Sequence, residues 1–298
     1  MKKIILALGF FDAIHKGHRL VLGKAVEMAK ELNAQVVALT FSDEFGLKFK
    51  SGGKVIYTYA EREFMFKEMG LNCMMADVHE NFDKLSAESF LNLILSQDSV
   101  AGVVCGSDYT FGEGGLGNAQ MLKNEAELKG IRAEIVTLYK EEGKKVASSD
   151  IKNLILCGEL ERANELLYKP FSVYGEVVKG EGRGKIYGFP TANIVVCDKK
   201  LLPPDGVYIT ETVDLNNNVL FNSITNVGKK PTFSDNEITV ETMMLNFNGN
   251  LYGNILEVNF HKKIRGVIKF SSAEELKNQI DCDTKTAISF FKECGLYD

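Results

Sequence analysis

The chain has 298 residues, of which 45% are hydrophobic and 25% are charged, a composition typical of a globular protein long enough for two domains. Its net charge of −5 argues against general electrostatic binding to nucleic acid, although a local basic groove stays compatible with it. No apolar stretch reaches about 18 residues, so no membrane span is expected.

The first half alternates apolar strand runs with segments of helical spacing, which predicts a parallel sheet covered by helices on both faces. The start, MKKIILALGF, has too short an apolar run for a signal peptide and is predicted to be the first strand. In chain order, strands are predicted at Lys3–Leu8, Gln35–Phe41, Cys73–Val78, Val100–Cys105 and Glu134–Leu138, and helices at Arg19–Leu32, Glu61–Met69, Glu88–Leu95, Asn118–Lys129 and Asp150–Leu167.

Near Lys169–Pro170 the pattern changes to short alternating strands separated by Asn, Gly and Pro turns, which predicts a small antiparallel barrel. We place the domain boundary near residue 168, giving domains 1–168 and 169–298. The predicted strands are Ser172–Val178, Val207–Val213, Val219–Asn226, Thr239–Phe247 and Ile255–Phe260, followed by closing helices at Ser272–Gln279 and Thr284–Cys294.

The six cysteines are scattered, with no C-x-x-C pair. This usage indicates reduced, mostly buried thiols and a cytoplasmic protein.

The segment GFFDAIHKGH joins the first predicted strand to the first helix, which we expect to begin just after His18. A helix N-terminus beyond a strand offers free N–H groups to phosphate. His15 and His18 can both face one anion and stabilise charge on a nucleotide α-phosphate as pyrophosphate leaves. Asp12 could orient a histidine or hold Mg²⁺. A plain strand–turn–helix connection with two exposed histidines is the alternative.

This segment resembles the G-x-F-D-x-x-H-x-G-H signature of the nucleotidylyltransferase superfamily, whose Rossmann-like fold it implies. VVCGSDYTFG and ASSDIKNLILCGEL resemble two further segments of bacterial FAD synthetases. The resemblance implies that Gly9, Phe10 and Asp12 bind nucleotide and that Asp108 lies near the nucleotide or the flavin. It also implies that Ser149 and Lys152 hold phosphate at a helix N-terminus. Without it, Asp108 is equally a turn residue and Ser149 a helix cap.

Three stretches depart from that family's pattern. The segment Phe41–Phe45 lacks the prolines and the histidine of the usual F-x-P-H-P stretch. Lys152 replaces an arginine, and only arginine gives a bidentate fork. Glu113–Gly115 stands where relatives often carry basic residues. A first alternative is therefore an enzyme whose N-terminal domain is weak or inactive in adenylyl transfer, so that only the second domain is fully active.

The segment GEGRGKIYGFPTAN, from Gly180 to Asn193, is rich in glycines that free the backbone to wrap phosphates. Its cations add positive charge, and Thr191 and Asn193 offer the oxygen ligands that Mg²⁺ prefers. A glycine-rich hairpin without a ligand is the alternative. The phosphate-binding candidates of this loop are Gly180, Gly182, Arg183, Gly184 and Lys185.

This string resembles the G-x-G-R-G…G-F-P-T-A-N motif of riboflavin kinases. LLPPDGVY, NVGKKPTF, TVETMMLNF and LYGNILEVNFHKKIRGVIKF follow in that family's order. The resemblance implies that Glu241 is the base that orients or deprotonates the ribityl 5′-hydroxyl and that Arg265 contacts substrate in the nucleotide or flavin region. Without it, both are ordinary polar residues on strands.

The resemblance spans nearly the whole chain and implies a bifunctional riboflavin kinase/FAD synthetase. The barrel would convert riboflavin to FMN and the N-terminal domain FMN to FAD, using ATP and Mg²⁺ at both sites. The expected partners are small molecules, with no nucleic acid or membrane, and the expected state is a monomer or a weak homo-oligomer. Transfer to another alcohol phosphate and a non-catalytic flavin- or nucleotide-sensing regulator remain alternatives.

Overall fold

The computed structural model describes residues 2–49, 53–76, 84–180, 188–229 and 238–296. Their contacts divide into two compact units, Met1–Asp150 and Ile151–Asp298. No helix within the described ranges is long and apolar enough to cross a membrane.

The first unit is built on a five-stranded parallel sheet with the strand order β3-β2-β1-β4-β7. Two short antiparallel hairpins, β5–β6 and β8–β9, flank it. The strands are β1 (Ile4–Leu8), β2 (Gln35–Phe41), β3 (Asn72–Ala76), β4 (Val100–Gly106), β5 (Thr110–Phe111), β6 (Gly117–Asn118), β7 (Arg132–Val136), β8 (Lys140–Glu141) and β9 (Lys144–Lys145), and the helices are α1 (Lys16–Leu32), α2 (Asp43–Phe49), α3 (Tyr59–Glu68), α4 (Ala87–Leu95) and α5 (Ala119–Leu128).

Helices cover both faces of the sheet, because alternate strand residues point to opposite sides. Leu6 and Leu8 belong to the core formed with α4 and α5. Ile5 points the other way, toward α1, where a Cβ built on Gly102 would lie 2.4 Å from Met28 Sδ and 3.0 Å from Ile5 Cδ1. The predicted α/β class and first strand are confirmed, whereas α2 and the two hairpins were not predicted.

The second unit contains a closed barrel with the strand order β10-β11-β14-β13-β12-β15. The predicted small antiparallel barrel is therefore confirmed. Strand β11 was not predicted. Helices precede and follow the barrel. The elements are α6 (Ser148–Cys157, which begins in the first unit), α7 (Leu160–Leu166), β10 (Ser172–Val178), β11 (Ala192–Val196), β12 (Gly206–Asp214), β13 (Val219–Lys229), β14 (Ile238–Met244), β15 (Ile255–Arg265) and α8 (Ala273–Glu293).

Two predicted helix spans are wrong. The helix expected from Asp150 to Leu167 is two helices, because Gly158 adopts a left-handed conformation (φ 79°) between α6 and α7. The two closing helices are instead the single helix α8, in which Asp283 continues the helix with its carboxylate paired to Arg265. Ser272 is the N-cap of α8, since its Oγ accepts a hydrogen bond from the Glu275 backbone N–H.

The Asn164 side chain of α7 bonds to two backbone groups of the barrel region. Asn164 Nδ2 donates to the Phe260 carbonyl, and Asn164 Oδ1 accepts from the Phe171 N–H, both at 2.8 Å. The change of pattern near residue 168 thus coincides with the start of the barrel strands, and its use as a domain boundary stays a prediction.

Hydroxyl groups fill part of the barrel interior. They form a closed ring of hydrogen bonds 2.7 to 3.2 Å long, and all five side chains are fully buried. The opposite, outer face carries Ile209 and Ile224 against Phe291 of α8. The ring consists of Thr210, Thr212, Ser223, Thr225 and Thr242.

None of the six cysteines forms a disulfide. Only Cys105 is fully buried and Cys73 is half-buried, while the other four are exposed, so the expectation of mostly buried thiols is wrong. Cys157 lies in an apolar sequence run but on the solvent side of α6, which the run alone did not reveal.

Candidate active sites

The histidine turn connects β1 to α1. His15 is the N-cap of α1, and its Nδ1 accepts a hydrogen bond of 3.2 Å from the His18 backbone N–H. The helix therefore begins before His18 rather than after it. The two imidazole rings stack with centroids 3.7 Å apart and planes 12° apart, so the structure brings the two predicted catalytic histidines together.

His15 is uncharged near neutral pH. Burial lowers its pKa to about 4, and the charges of Asp108, Lys145 and Asp150 act on it more weakly. Because Nδ1 accepts the bond from His18, the proton of the neutral ring resides on Nε2. His15 can therefore donate from Nε2 to a phosphate oxygen without carrying a positive charge.

Backbone strain accompanies this turn. Phe11 and Ile14 have positive φ angles, 54° and 45°, although both are bulky and fully buried. Such conformations persist only where the surrounding structure enforces them, and they concentrate at functional sites. Gly9 makes room for the turn, since a Cβ there would lie 2.8 Å from the Phe11 ring.

Asp12 and Phe10 connect the turn to other segments. Asp12 Oδ1 accepts hydrogen bonds from the backbone N–H groups of Ile56 (3.0 Å) and Tyr57 (3.4 Å). The Phe10 ring packs with the rings of Phe41 and Phe45 at centroid distances of 6.2 and 6.1 Å. Asp12 and Phe10, which were predicted to bind nucleotide, thus also position the turn, a role that the sequence did not reveal.

Arg62 is a buried residue that the sequence analysis did not identify. Its guanidinium is fully buried and donates to the carbonyls of Phe10 (2.9 Å) and Phe41 (2.8 Å), and it pairs with Asp43 Oδ1 at 3.3 Å. Asp43 Oδ1 also accepts from the Tyr59 N–H at 2.7 Å. These bonds hold the Phe41–Phe45 segment, whose family motif is missing. The only sign of Arg62 in the sequence was an arginine inside a helical pattern.

Asp108 follows β4 at the carboxyl edge of the sheet and forms an ion pair with Lys145 of β9. Ser149 is the second residue of α6, so it lies inside the first helical turn and is not the cap. The Asp150 carboxylate accepts from the Ala147 N–H at 2.9 Å. Lys152 lies one turn further along the same helix.

In the barrel, Glu241 lies in the middle of a polar row on neighbouring strands. It pairs in register with Asn193 of β11 on one side and Asn226 of β13 on the other. Residues that face each other across strands point to the same side of the sheet. The neighbouring residues Val240 and Thr242 are fully buried, so Glu241 points to the outer face. Asn226 was not predicted as a site residue.

Gly180 lies against the Asn193 amide. A Cβ on Gly180 would lie 2.1 Å from Nδ2 and 2.8 Å from Oδ1 of Asn193. Only glycine permits this approach. Thr191 directly precedes β11. The candidates Gly182, Arg183, Gly184 and Lys185 lie outside the described residues.

Arg265 ends β15 and is bound to helix α8. Its Nε lies 3.1 and 3.0 Å from the two carboxylate oxygens of Asp283, its Nη2 lies 2.8 Å from Oδ2, and its Nη1 donates to the Gly266 carbonyl. Asp283 is buried and also accepts from Gln279. Arg265 therefore holds α8 on the barrel, and its contact with substrate stays a prediction.

Each unit thus presents its own polar centre on a separate fold, the parallel sheet in one and the closed barrel in the other. A model of the FAD synthetase family matches residues 1–150, and a model of the riboflavin kinase family matches residues 167–291. The bifunctional riboflavin kinase/FMN adenylyltransferase of Bacillus subtilis (strain 168) is 31% identical over 297 residues, covering 97% of this chain and 93% of that protein.

The protein of the same description from Haemophilus influenzae is 30% identical, covering 96% of this chain and 94% of its own length. A crystal structure from Streptococcus pneumoniae, described as a macrolide-efflux protein, superimposes with a TM-score of 0.82 at 31% identity, covering 96% of this chain and 93% of that one. The chain belongs to the bifunctional riboflavin kinase/FMN adenylyltransferase family. It phosphorylates riboflavin to FMN and adenylylates FMN to FAD, with ATP as the donor.

Proposed function

We propose that the histidine turn is the adenylyl-transfer centre. An oxygen of the FMN phosphate attacks the α-phosphorus of ATP, the bond from that phosphorus to the bridging β-oxygen breaks, and pyrophosphate leaves with the electron pair. The observation that carries this assignment is the His15–His18 hydrogen bond, which leaves Nε2–H of neutral His15 to donate to the phosphate. His18, stacked on His15, is the second catalytic histidine.

The remaining predicted residues of this domain have binding roles in the proposal. Gly9, Phe10 and Asp12 shape the turn, and Asp108 lies near the nucleotide or the flavin. Ser149 and Lys152 hold phosphate at the N-terminal turn of α6, where backbone N–H groups lack helical partners.

Glu241 is the proposed base of the kinase. Glu241 lies between Asn193 of β11 and Asn226 of β13. This position supports the role, because the two asparagines can hold substrate groups on either side of the carboxylate. The carboxylate orients or deprotonates the ribityl 5′-hydroxyl, whose oxygen attacks the γ-phosphorus while ADP leaves. Gly180, Gly182, Arg183, Gly184 and Lys185 form the proposed phosphate-binding loop, and Arg265 a contact to substrate.

Mg²⁺ is the proposed metal, bound through Thr191 and Asn193. Their hydroxyl and amide oxygens are the hard donors that Mg²⁺ prefers, and the Asn193 amide is confined against Gly180. Among the described residues, no group of three or more His, Cys, Asp or Glu side chains can hold a metal. A site with two protein oxygens suits Mg²⁺, which keeps waters and substrate phosphates as its other ligands. The ion would neutralise polyphosphate charge.

The cellular setting is also a proposal. The absence of disulfides among the six cysteines supports a cytoplasmic location. The acidic net charge supports small-molecule partners rather than nucleic acid, and we propose a monomer or a weak homo-oligomer with domains 1–168 and 169–298.

Two single variants in one product assay test both centres. Purified protein is incubated with ATP and Mg²⁺ plus either riboflavin or FMN, and the flavins are separated over time. His18→Ala should abolish FAD formation and leave FMN formation intact. Glu241→Gln should abolish FMN formation from riboflavin and still convert added FMN to FAD. Wild-type rates in either variant would overturn the role of that residue.

A further inference from the structure

The hairpin of β8 and β9 lies beside the N-terminal turn of α1. Lys16 Nζ lies 3.5 Å from Glu141 Oε1 and 5.6 Å from the centroid of the Tyr139 ring. A Cβ on Gly17 would lie 3.6 Å from Tyr139 Cβ. The hairpin therefore forms one side of the histidine turn, although the two segments are more than 100 residues apart in the chain.

Lys145 on this hairpin forms an ion pair with Asp108, at the carboxyl edge of the sheet. The two side chains are 43% and 45% exposed. An ion pair in such solvent contact is weak, so a more highly charged anion can replace the carboxylate easily. The pair lies beside the histidine turn, because the hairpin that carries Lys145 contacts Lys16 and Gly17 of α1.

The adenylyl-transfer reaction needs cations at this place. The triphosphate of ATP carries several negative charges, and the leaving pyrophosphate gains more as its bond breaks. The segment after Phe111 provides Glu113 and glycines rather than lysine or arginine. Cations for the polyphosphate therefore come from other segments, of which the proposed site already includes Lys152. Lys145 lies on the hairpin beside the histidine turn and pairs with the exposed carboxylate of Asp108, so it can provide such a cation.

We propose that Lys145 leaves Asp108 when ATP binds and donates hydrogen bonds to the polyphosphate, compensating the charge that develops on pyrophosphate. Lys145 keeps its protons throughout, while the oxygen of the FMN phosphate bonds to the α-phosphorus and pyrophosphate departs with the electron pair. This inference rests on the proposed adenylyl-transfer centre at the histidine turn. It adds a phosphate contact from the hairpin to that centre.

The test compares four variants in the full chain: Lys145→Ala, Lys145→Arg, Lys144→Ala and His18→Ala. Lys144 is exposed and adjacent on the same strand, so its side chain points away from that of Lys145 and provides the matched control. FAD formation from FMN is measured at varied ATP and at varied FMN. FMN formation from riboflavin in the same preparations reports on intact protein.

Lys145→Ala should lower kcat/KM for ATP about 100-fold, a loss typical of removing one charge-stabilising donor, with the KM for FMN unchanged. Lys145→Arg should keep most of the activity, and Lys144→Ala all of it. Inhibition of FAD formation by added pyrophosphate should be weakened less by Lys145→Arg than by Lys145→Ala, because the charge at this position binds the polyphosphate.

The outcomes separate the two proposals. A Lys145→Ala enzyme with the wild-type kcat/KM for ATP, beside an inactive His18→Ala enzyme, overturns the role of Lys145 alone. Equal losses in Lys145→Ala and Lys144→Ala also overturn it, since they would reflect the hairpin as a whole. An active His18→Ala enzyme instead overturns the proposed adenylyl-transfer centre.

Discussion

The Arg62 guanidinium donates a hydrogen bond of 2.9 Å to the carbonyl of Phe10, which precedes it by 52 positions. This bond joins α3 to the turn that carries the histidines. Arg62 also donates to the Phe41 carbonyl and pairs with Asp43, so one buried side chain holds the ends of both β1 and β2. The segment that lacks the usual prolines is therefore held by tertiary contacts.

Arg62→Ala should destabilise the first unit by about 3 kcal/mol or more, because it leaves buried carbonyls and Asp43 without their cation. Arg132→Ala is the matched control, since Arg132 pairs with Glu31 and Glu134 on the surface and its loss should change stability little. The protection of Met1–Asp150 peptides from hydrogen exchange measures the loss of stability in each of the two variants. Equal protection in the two variants would contradict this role.

The capping and chemical roles of His15 can be separated. Asparagine is a favourable N-cap, so His15→Asn should keep most of the stability of α1 while FAD formation is lost with the ring donor. His15→Ala should lose both, with a capping cost of about 1 kcal/mol. Chemical unfolding and the flavin product assay measure the two effects. FAD formation at the wild-type rate by His15→Asn would show that Nε2–H has no part in the chemistry.

Acid should destabilise the folded protein through His15. Its pKa is lowered to about 4 in the folded state from an ordinary value of 6.5, so between these values the unfolded chain binds more protons. The contribution of His15 to stability is complete above about pH 6.5, is lost as the pH falls toward about 4, and changes no further below that. Urea unfolding at a series of pH values measures the free energy of unfolding, which should depend less steeply on pH in His15→Asn than in the wild type. An NMR titration of the His15 ring with a midpoint near 6.5 would refute this.

Gly180→Ala should abolish riboflavin phosphorylation, because the new Cβ would lie 2.1 Å from the Asn193 amide and displace it. FAD formation from added FMN should be retained. Gly266→Ala is the control, since a Cβ at Gly266 meets nothing within 4 Å. A comparison of initial FMN formation rates decides the matter, and an active Gly180→Ala enzyme would exclude a need for this close approach.

Removing the Arg265–Asp283 pair should weaken the packing of α8 on the barrel. Asp283→Asn should lower stability by about 3 kcal/mol, because it leaves the guanidinium without its buried counter-charge. If Arg265 acts only through α8, the KM values for riboflavin and ATP in the folded variant should be unchanged. Raised KM values in Arg265→Lys at full stability would instead support the predicted contact with substrate.

Local patterns in the sequence were sufficient to determine the type of most elements and the two motif regions. Strands β2 and β10 have the bounds that hydrophobic patterning predicted, Gln35–Phe41 and Ser172–Val178, because alternation and run length depend only on neighbouring residues. The histidine turn and the glycine-rich segment were likewise recognisable, since their residue types and spacing lie within a few positions of one another.

The partners of the site residues were decided only by the tertiary structure. Lys145 meets Asp108 across 37 positions, Arg265 meets Asp283 across 18, and Asn226 stands beside Glu241 through strand register. Helix and strand periodicity reports which face of an element is apolar, but not which distant element covers that face. Arg62 was missed for this reason: burial of a charge depends on carbonyls and a carboxylate brought from other segments, and only the folded chain brings them together.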